Sequence, residues 1–284
     1  MVKSILIGLD GSPFSHAAIA LGMRWGRQLD AMLVGIGIVD EPNVVNPLPN
    51  PVVPGLPTID PMAQQIRLDQ QILKEEYRHV ERYLQQFTLQ CAEQQIACKL
   101  LEDIGVPSQR IATQVERFDL MILGRRTFFH RGCSEELDTT LIEVARHSPR
   151  PVVTVPNSIR DSQCVMVAYD GSAQAARALQ AFEASGLCKD KKIHIVSIAE
   201  SHTEAEQQAQ RAADFLNWHE RPYMVHAIAS NDHPAPTIIK QTWACDPSLL
   251  IMGAHGHNRV RDFLFGSVTR TLLKESPVPL FLFH

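Results

Sequence analysis

The chain has 284 residues, 45% hydrophobic and 20% charged, with a formal net charge of −4 at pH 7. There is ample material for two buried cores, and the absence of a basic block argues against a nucleic-acid or acidic-membrane partner. No apolar run approaches a membrane span, Met1 to Leu9 is too short for a signal core, and the cysteines at 91, 98, 133, 164, 188 and 245 form no C-x-x-C pair, so a reducing cytoplasm is expected.

In chain order, Ser4 to Leu9 is an apolar run closed by Asp10, Gly11 and Ser12, and reads as a strand entering a helix. Ser12 suits the N-cap, Pro13 the first helical position, and Ala17, Leu21, Trp25 and Leu29 mark one helical face. Strands are then predicted at Met32 to Val39, Ala97 to Glu102, Leu120 to Leu123 and Val152 to Val155. The stretch from Glu41 to Pro61 holds seven prolines and reads as a stiff loop over the sheet edge. A long helix is predicted through Ile72, Leu73, Val80, Leu84 and Phe87.

The second half repeats this order. Val165 to Tyr169 is closed by Asp170, Gly171 and Ser172, and strands follow at Ile193 to Ile198, Met224 to Ala229, Leu249 to Met252 and Leu280 to Phe283. The halves also close alike, Pro149 and Pro151 answering Pro277 and Pro279. The repeat divides the chain into units 1–156 and 157–284, with the polar stretch Asn157 to Gln163 as the boundary. From the Asp to the glycine after its fourth strand, the first copy is longer by about 31 residues.

Short continuous apolar strands alternating with amphipathic helices predict an α/β fold, each copy a parallel sheet covered on both faces. Ligands of such sheets lie beyond the carboxyl ends of the strands, where the winding reverses. There the second copy carries Gly253, Gly256, Gly266 and Ser267 in the spacing G-x2-G-x9-G-S, between a predicted strand and a predicted helix. Backbone N–H groups without a Cβ, and a helix N-terminus, make a cradle for phosphate oxygens. Asp170, acceptor-only when ionised, suits a ribose hydroxyl or an exocyclic amine at the other end of such a ligand. The structural alternative is that both aspartates begin tight turns and the glycines ease strand-to-helix packing. In the first copy Asp10 and Gly124 remain, but Thr127 replaces the second glycine and Asp138 the third, which narrows the cradle and repels phosphate. Arg125 and Arg126 either lend that site an anion preference or face water. His255 and His257 are no recognised metal-ligand set, and Arg259 and Arg261 reach either phosphates or solvent.

Asp-Gly-Ser after the first strand, Met252, Gly253 and Gly256 after the fourth, and Gly266, Ser267, Val268 and Thr269 opening the last helix resemble the universal stress protein (UspA) family in its tandem two-domain form. The resemblance implies Rossmann-like domains of the adenine nucleotide alpha hydrolase (HUP) type, each with five parallel strands. It also implies ATP with Mg²⁺ at the sheet edge, and two units paired through their last strands, within one chain or as a homodimer. Carried onto this sequence, it puts Ala168, Tyr169 and Asp170 at the adenosine end, Ser197 or Ile198 near the base, and Gly253 against the ribose. Gly256, Gly266, Ser267, Val268 and Thr269 surround the phosphates, and Asp10, Gly124, Arg125 and Thr127 form a degenerate first site. With no Walker lysine and no evident general base, retention of ATP in a stress-response or regulatory role, read by a protein partner, is expected over turnover. The alternatives are a slow ATPase or self-phosphorylating enzyme, with Ser267 or Thr269 as acceptor, and an interaction module without nucleotide.

Overall fold

The computed structural model describes residues 1–40, 61–129, 139–254 and 266–284, the side chains of 61–66 excepted. The first half gives β1 (Ser4–Gly8), α1 (Pro13–Leu29), β2 (Met32–Val39), α2 (Pro61–Glu93), β3 (Cys98–Ile104), α3 (Pro107–Val115), β4 (Leu120–Gly124), α4 (Thr139–His147) and β5 (Val152–Val155). The second gives β6 (Cys164–Ala168), α5 (Ala173–Ser185), β7 (Lys192–Ala199), α6 (His202–Trp218), β8 (Tyr223–Ala229), α7 (Pro234–Cys245), β9 (Leu250–Gly253), α8 (Ser267–Glu275) and β10 (Leu280–Phe283). Each predicted strand is present within two residues of its expected bounds. Pro61, expected to end the proline-rich loop, instead opens α2, since a proline lacks only an N–H that the first helical turn leaves unpaired. The rest of that loop lies outside the described residues.

All these strands lie in one sheet, in the order β3-β2-β1-β4-β5-β10-β9-β6-β7-β8. Neighbours are parallel throughout except β5 and β10, which pair antiparallel with Phe281 opposite Val153. Each half therefore contributes five parallel strands wound outward from its first, β1 or β6. Helices cover both faces. One apolar layer gathers Ile5, Ile7, Trp25, Phe87, Phe182, Ile195 and Phe281, and the other gathers Leu6, Ile36, Ile111, Met121, Leu250, Leu272 and Leu280.

Local chemistry starts the equivalent helices alike. Ser12 Oγ accepts from Ser15 N–H at 3.1 Å, and Ser172 Oγ accepts from Ala175 N–H at 3.1 Å, each hydroxyl satisfying one helix donor that has no carbonyl partner. α5 ends on Gly186 at φ 76°, the left-handed conformation that a glycine takes without Cβ strain.

The two halves share their cores. Phe182 of α5 meets Phe281 of β10 edge to face at 5.8 Å, Val2 N–H donates to Ser185 O at 2.8 Å, and Arg125 Nη1 donates to Ser276 O at 2.6 Å. Within the second half Glu183 and Arg221 form a buried ion pair at 3.1 Å, their side chains 8% and 7% exposed. Arg221 also donates to the carbonyls of Cys188 and Lys189. Replacing Glu183 by alanine strands the guanidinium charge in the interior, and the expected cost is about 3–5 kcal/mol in urea unfolding. A midpoint and slope equal to wild type would show that the pair does not hold α5 to the turn before β8.

Candidate functional site

In the second half the winding reverses at β6, with β7 on one side and β9 on the other. Ala168 pairs with Met252 of β9 and with Val196 of β7, so Asp170 and Gly253 emerge at one edge. The start of α8 is fastened to the same edge, because Thr269 Oγ1 donates to Ala254 O at 3.2 Å and Ala254 N–H donates to Phe283 O at 2.9 Å. Asp170, Gly253 and the α8 N-terminus are thus brought together, as the spacing predicts. Gly256, His255, His257, Arg259, Arg261 and Asp138 lie outside the described residues.

The strand alternation divides the remaining candidates between two faces. Ala168, Ile198 and Val268, partly buried, and Met252, buried, lie on the α7–α8 side as an apolar wall. Tyr169 turns to the opposite core, where burial raises its phenol pKa. The Ser197 hydroxyl is buried and donates to Tyr169 O at 2.6 Å, so it joins β7 to β6 and is already engaged. Thr269 is likewise buried, and its hydroxyl is committed to Ala254 O; the expectation of that hydroxyl as a phosphate donor or acceptor gives way to a structural bond.

At the open end, Asp170 is exposed and its Oδ1 accepts from Ser172 N–H at 3.0 Å, the turn-forming bond of the structural alternative. Gly253 has a packing reason as well. A Cβ there would stand 2.7 Å from both Ala175 N and Gln174 C, against the first turn of α5. Gly266 is the N-cap of α8, whose own ladder begins at Arg270 N–H to Gly266 O; the N–H groups of Ser267, Val268 and Thr269 precede it and point off the helix end. Two further residues stand at this edge that the sequence reading missed. His233, N-cap of α7, has Nε2 2.8 Å from Ser267 Oγ, and Arg211 of α6 stands over Gly171. A helical pattern gives no signal for either, because it does not reveal which turn faces the crevice.

The first half has the same layout and a different interior. Phe129 is buried on the face where Ala168 lies in the second half, and a Cβ on Gly8 would meet the Phe129 ring at 3.3 Å. Phe128 N–H donates to Asp10 Oδ2 at 2.7 Å, Asp10 Oδ1 accepts from Ser12 N–H at 2.9 Å, and Thr127 is buried. Gly124 packs on Phe14 of α1 as Gly253 does on α5. Arg125 is half-buried rather than solvated: its Nη1 crosses to Ser276 O, and burial foremost, with Arg126 beside it, lowers its pKa. Among the described residues a cleft of about 560 Å³ lies between this corner and α2, lined by Asp10, Glu76, His79, Tyr83, Phe128 and Phe129.

Residues 162–284 match the family model described as the Universal stress protein family. A universal stress protein from Synechocystis is 27% identical over 167 residues, which is 59% of this chain and 58% of that protein, so the match takes in little more than half of each. One from Mycobacterium tuberculosis is 22% identical over 307 aligned positions, covering 97% of this chain and 93% of its own length. The second half of the chain is thus similar to the universal stress protein family, and the chain as a whole resembles tandem members of it. Among solved structures, a universal stress protein from Archaeoglobus fulgidus shares the fold at TM-score 0.65 and 18% identity, covering 98% of this chain and 97% of that one. A functionally unknown protein from Pseudomonas aeruginosa shares it at TM-score 0.59 and 13% identity, covering 99% and 92%. Gly253→Ala is expected to force α5 off β9 at a cost of roughly 1–3 kcal/mol, read as a lower urea midpoint. Wild-type stability in that variant would remove the packing reason for the glycine.

Proposed function

We propose that this protein is an adenine-nucleotide-binding stress-response or regulatory protein that holds one ATP, carried with Mg²⁺, at the carboxyl edge of the second half. What supports the reading is a difference between the two corners among the described residues. In the first, Phe129 fills the wall and Phe128 N–H occupies the aspartate. In the second, among the described residues, Ala168, Ile198, Met252 and Val268 line the wall, and the Asp170 carboxylate and a helix N-terminus lie at the same edge. The donor set suits a nucleoside triphosphate: Asp170 accepts from hydroxyls at the sugar end, while the leading N–H groups of α8 and the exposed Ser267 hydroxyl donate to phosphate oxygens. Arg211, near Gly171, adds positive charge where the first half has the Tyr83 ring. The ion rides on the phosphates, as Mg²⁺ commonly does. Two units, 1–156 and 157–284, then divide the work, the first structural and the second liganded.

Calorimetric titration of ATP with Mg²⁺ into wild type and Gly266→Asp tests this reading. Gly266 is an N-cap with φ −59°, and aspartate is a favoured cap, so the variant should keep its fold while placing a carboxylate against the phosphates. One site per chain in wild type, and binding weaker by on the order of 100-fold or more in the variant, are expected, since like charges in contact cost several kcal/mol. No binding in wild type, two sites per chain, or equal affinity in the variant would overturn it.

A second reading, self-phosphorylation, is favoured by the 2.8 Å contact of His233 Nε2 with Ser267 Oγ. A neutral imidazole there takes the hydroxyl proton while the oxygen bonds to the γ-phosphorus and ADP leaves. Single-turnover incubation with γ-labelled ATP should place label on Ser267 and lose it in His233→Asn; an unlabelled wild-type protein would dispose of this reading.

A further inference from the structure

Near the amino end of β7 and the middle of β8, His194, His226 and Cys245 converge on one patch of the sheet face beneath α7. They come from three elements: β7, β8 and the last residue of α7. One ligand atom of each lies within 4.8 Å of the other two, and all three residues are half-buried. The register creates the pair of imidazoles, since His194 aligns with Met224 and Val196 with His226, which puts the two rings diagonally on one face. The rings stack at 5.1 Å between centroids, with His194 Nδ1 3.0 Å from His226 Nε2.

We infer that this cluster is a binding site for a borderline-soft divalent cation of the Zn²⁺ class, with ligands His194 Nδ1, His226 Nε2 and the Cys245 thiolate. Two imidazole nitrogens bound at 2.0–2.1 Å to a tetrahedral ion stand roughly 3.3 Å apart, so the 3.0 Å pair needs to open by only a few tenths of an ångström. On binding, the ring that carries the bridging hydrogen shifts it to its other nitrogen, so that both facing nitrogens present lone pairs to the ion, and the Cys245 thiol releases its proton to solvent as the metal–sulfur bond forms. Two imidazoles and one thiolate select zinc-like ions over Mg²⁺ or Ca²⁺, which prefer oxygen. Burial disfavours protonation of both imidazoles, and the neighbouring Lys192 ammonium acts in the same direction. That ammonium also opposes a doubly charged ion, and the thiolate offsets one of the two charges. Three protein ligands leave a fourth position for water or an exchanging ligand. Tying β7 and β8 to α7, the ion would clamp the outer edge of the sheet independently of the nucleotide.

The experiment uses the whole reduced chain. Co²⁺ is titrated as a spectroscopic stand-in and then displaced by Zn²⁺ in competition with a chromophoric chelator. Wild type is expected to bind one equivalent with a thiolate-to-cobalt charge-transfer band in the near ultraviolet. Cys245→Ser should lose that band, and His226→Gln should weaken Zn²⁺ binding by more than the roughly 10–100-fold typical of losing an outer-shell partner. Should either variant fail to fold, alkylation of wild type followed by peptide mass mapping decides: Zn²⁺ must protect Cys245 and leave the modification of Cys98 unchanged. A band that survives Cys245→Ser, full affinity in His226→Gln, no stoichiometric binding in wild type, or no protection of Cys245 would each overturn the assignment.

Discussion

The antiparallel pairing of β5 with β10 is the contact on which the architecture depends. Each half alone would be a five-stranded parallel sheet ending in a short, apolar and unpaired edge, and such an edge invites association. Joining Val152–Val155 to Leu280–Phe283 removes both edges at once and buries every residue of β5. Because this one pair is antiparallel, the strands of the two halves run in opposite directions, and their carboxyl ends face opposite edges of the sheet. The two crevices are therefore separated by the sheet itself. What joins them is the shared core around Phe182 and Phe281, together with the Arg125 bond to Ser276 O.

That arrangement lets one fold carry two different corners. The backbone plan is the same in both: a carboxylate closing the first strand, a serine cap two residues later, and a glycine packed on the following helix. The side chains then diverge. Phe129 and Phe128 N–H pack on Gly8 and Asp10 in the first corner, where the second has Ala168 and Asp170, and the Tyr83 ring stands over Gly11 where Arg211 stands over Gly171. An aromatic ring and a guanidinium offer a passing phosphate very different fields. The chemistry of each corner thus rests on these substitutions, while the fold they share is indifferent to them.

The strands were legible because each is a short apolar run punctuated by Gly, Pro or Asp, and the helix starts were legible because Ser12 and Ser172 carry their capping bond within three residues. The long α2 was legible from its apolar spacing. The fates of Ser197 and Thr269 were not: the resemblance put Ser197 or Ile198 near the base and Thr269 at the phosphates, yet each hydroxyl bonds a carbonyl just past the end of a neighbouring strand that no local pattern identifies. Arg125 looked like half of a basic pair and instead spans the junction of the two halves. His194, His226 and Cys245 are too widely spaced for any ligand motif, and only strand register and the return of α7 make them neighbours.

The amino-acid sequence by itself determined the alternation of elements, their caps, the repeat and the residue types at each strand's carboxyl end, because these depend on interactions within a few residues along the chain. The tertiary structure alone decided which corner is filled by Phe129, which hydroxyls are already engaged, and which distant side chains meet under α7. Those outcomes depend on register, on the face to which each side chain is sent, and on the reversal at β5 and β10, all of which are set by contacts between residues far apart in the chain.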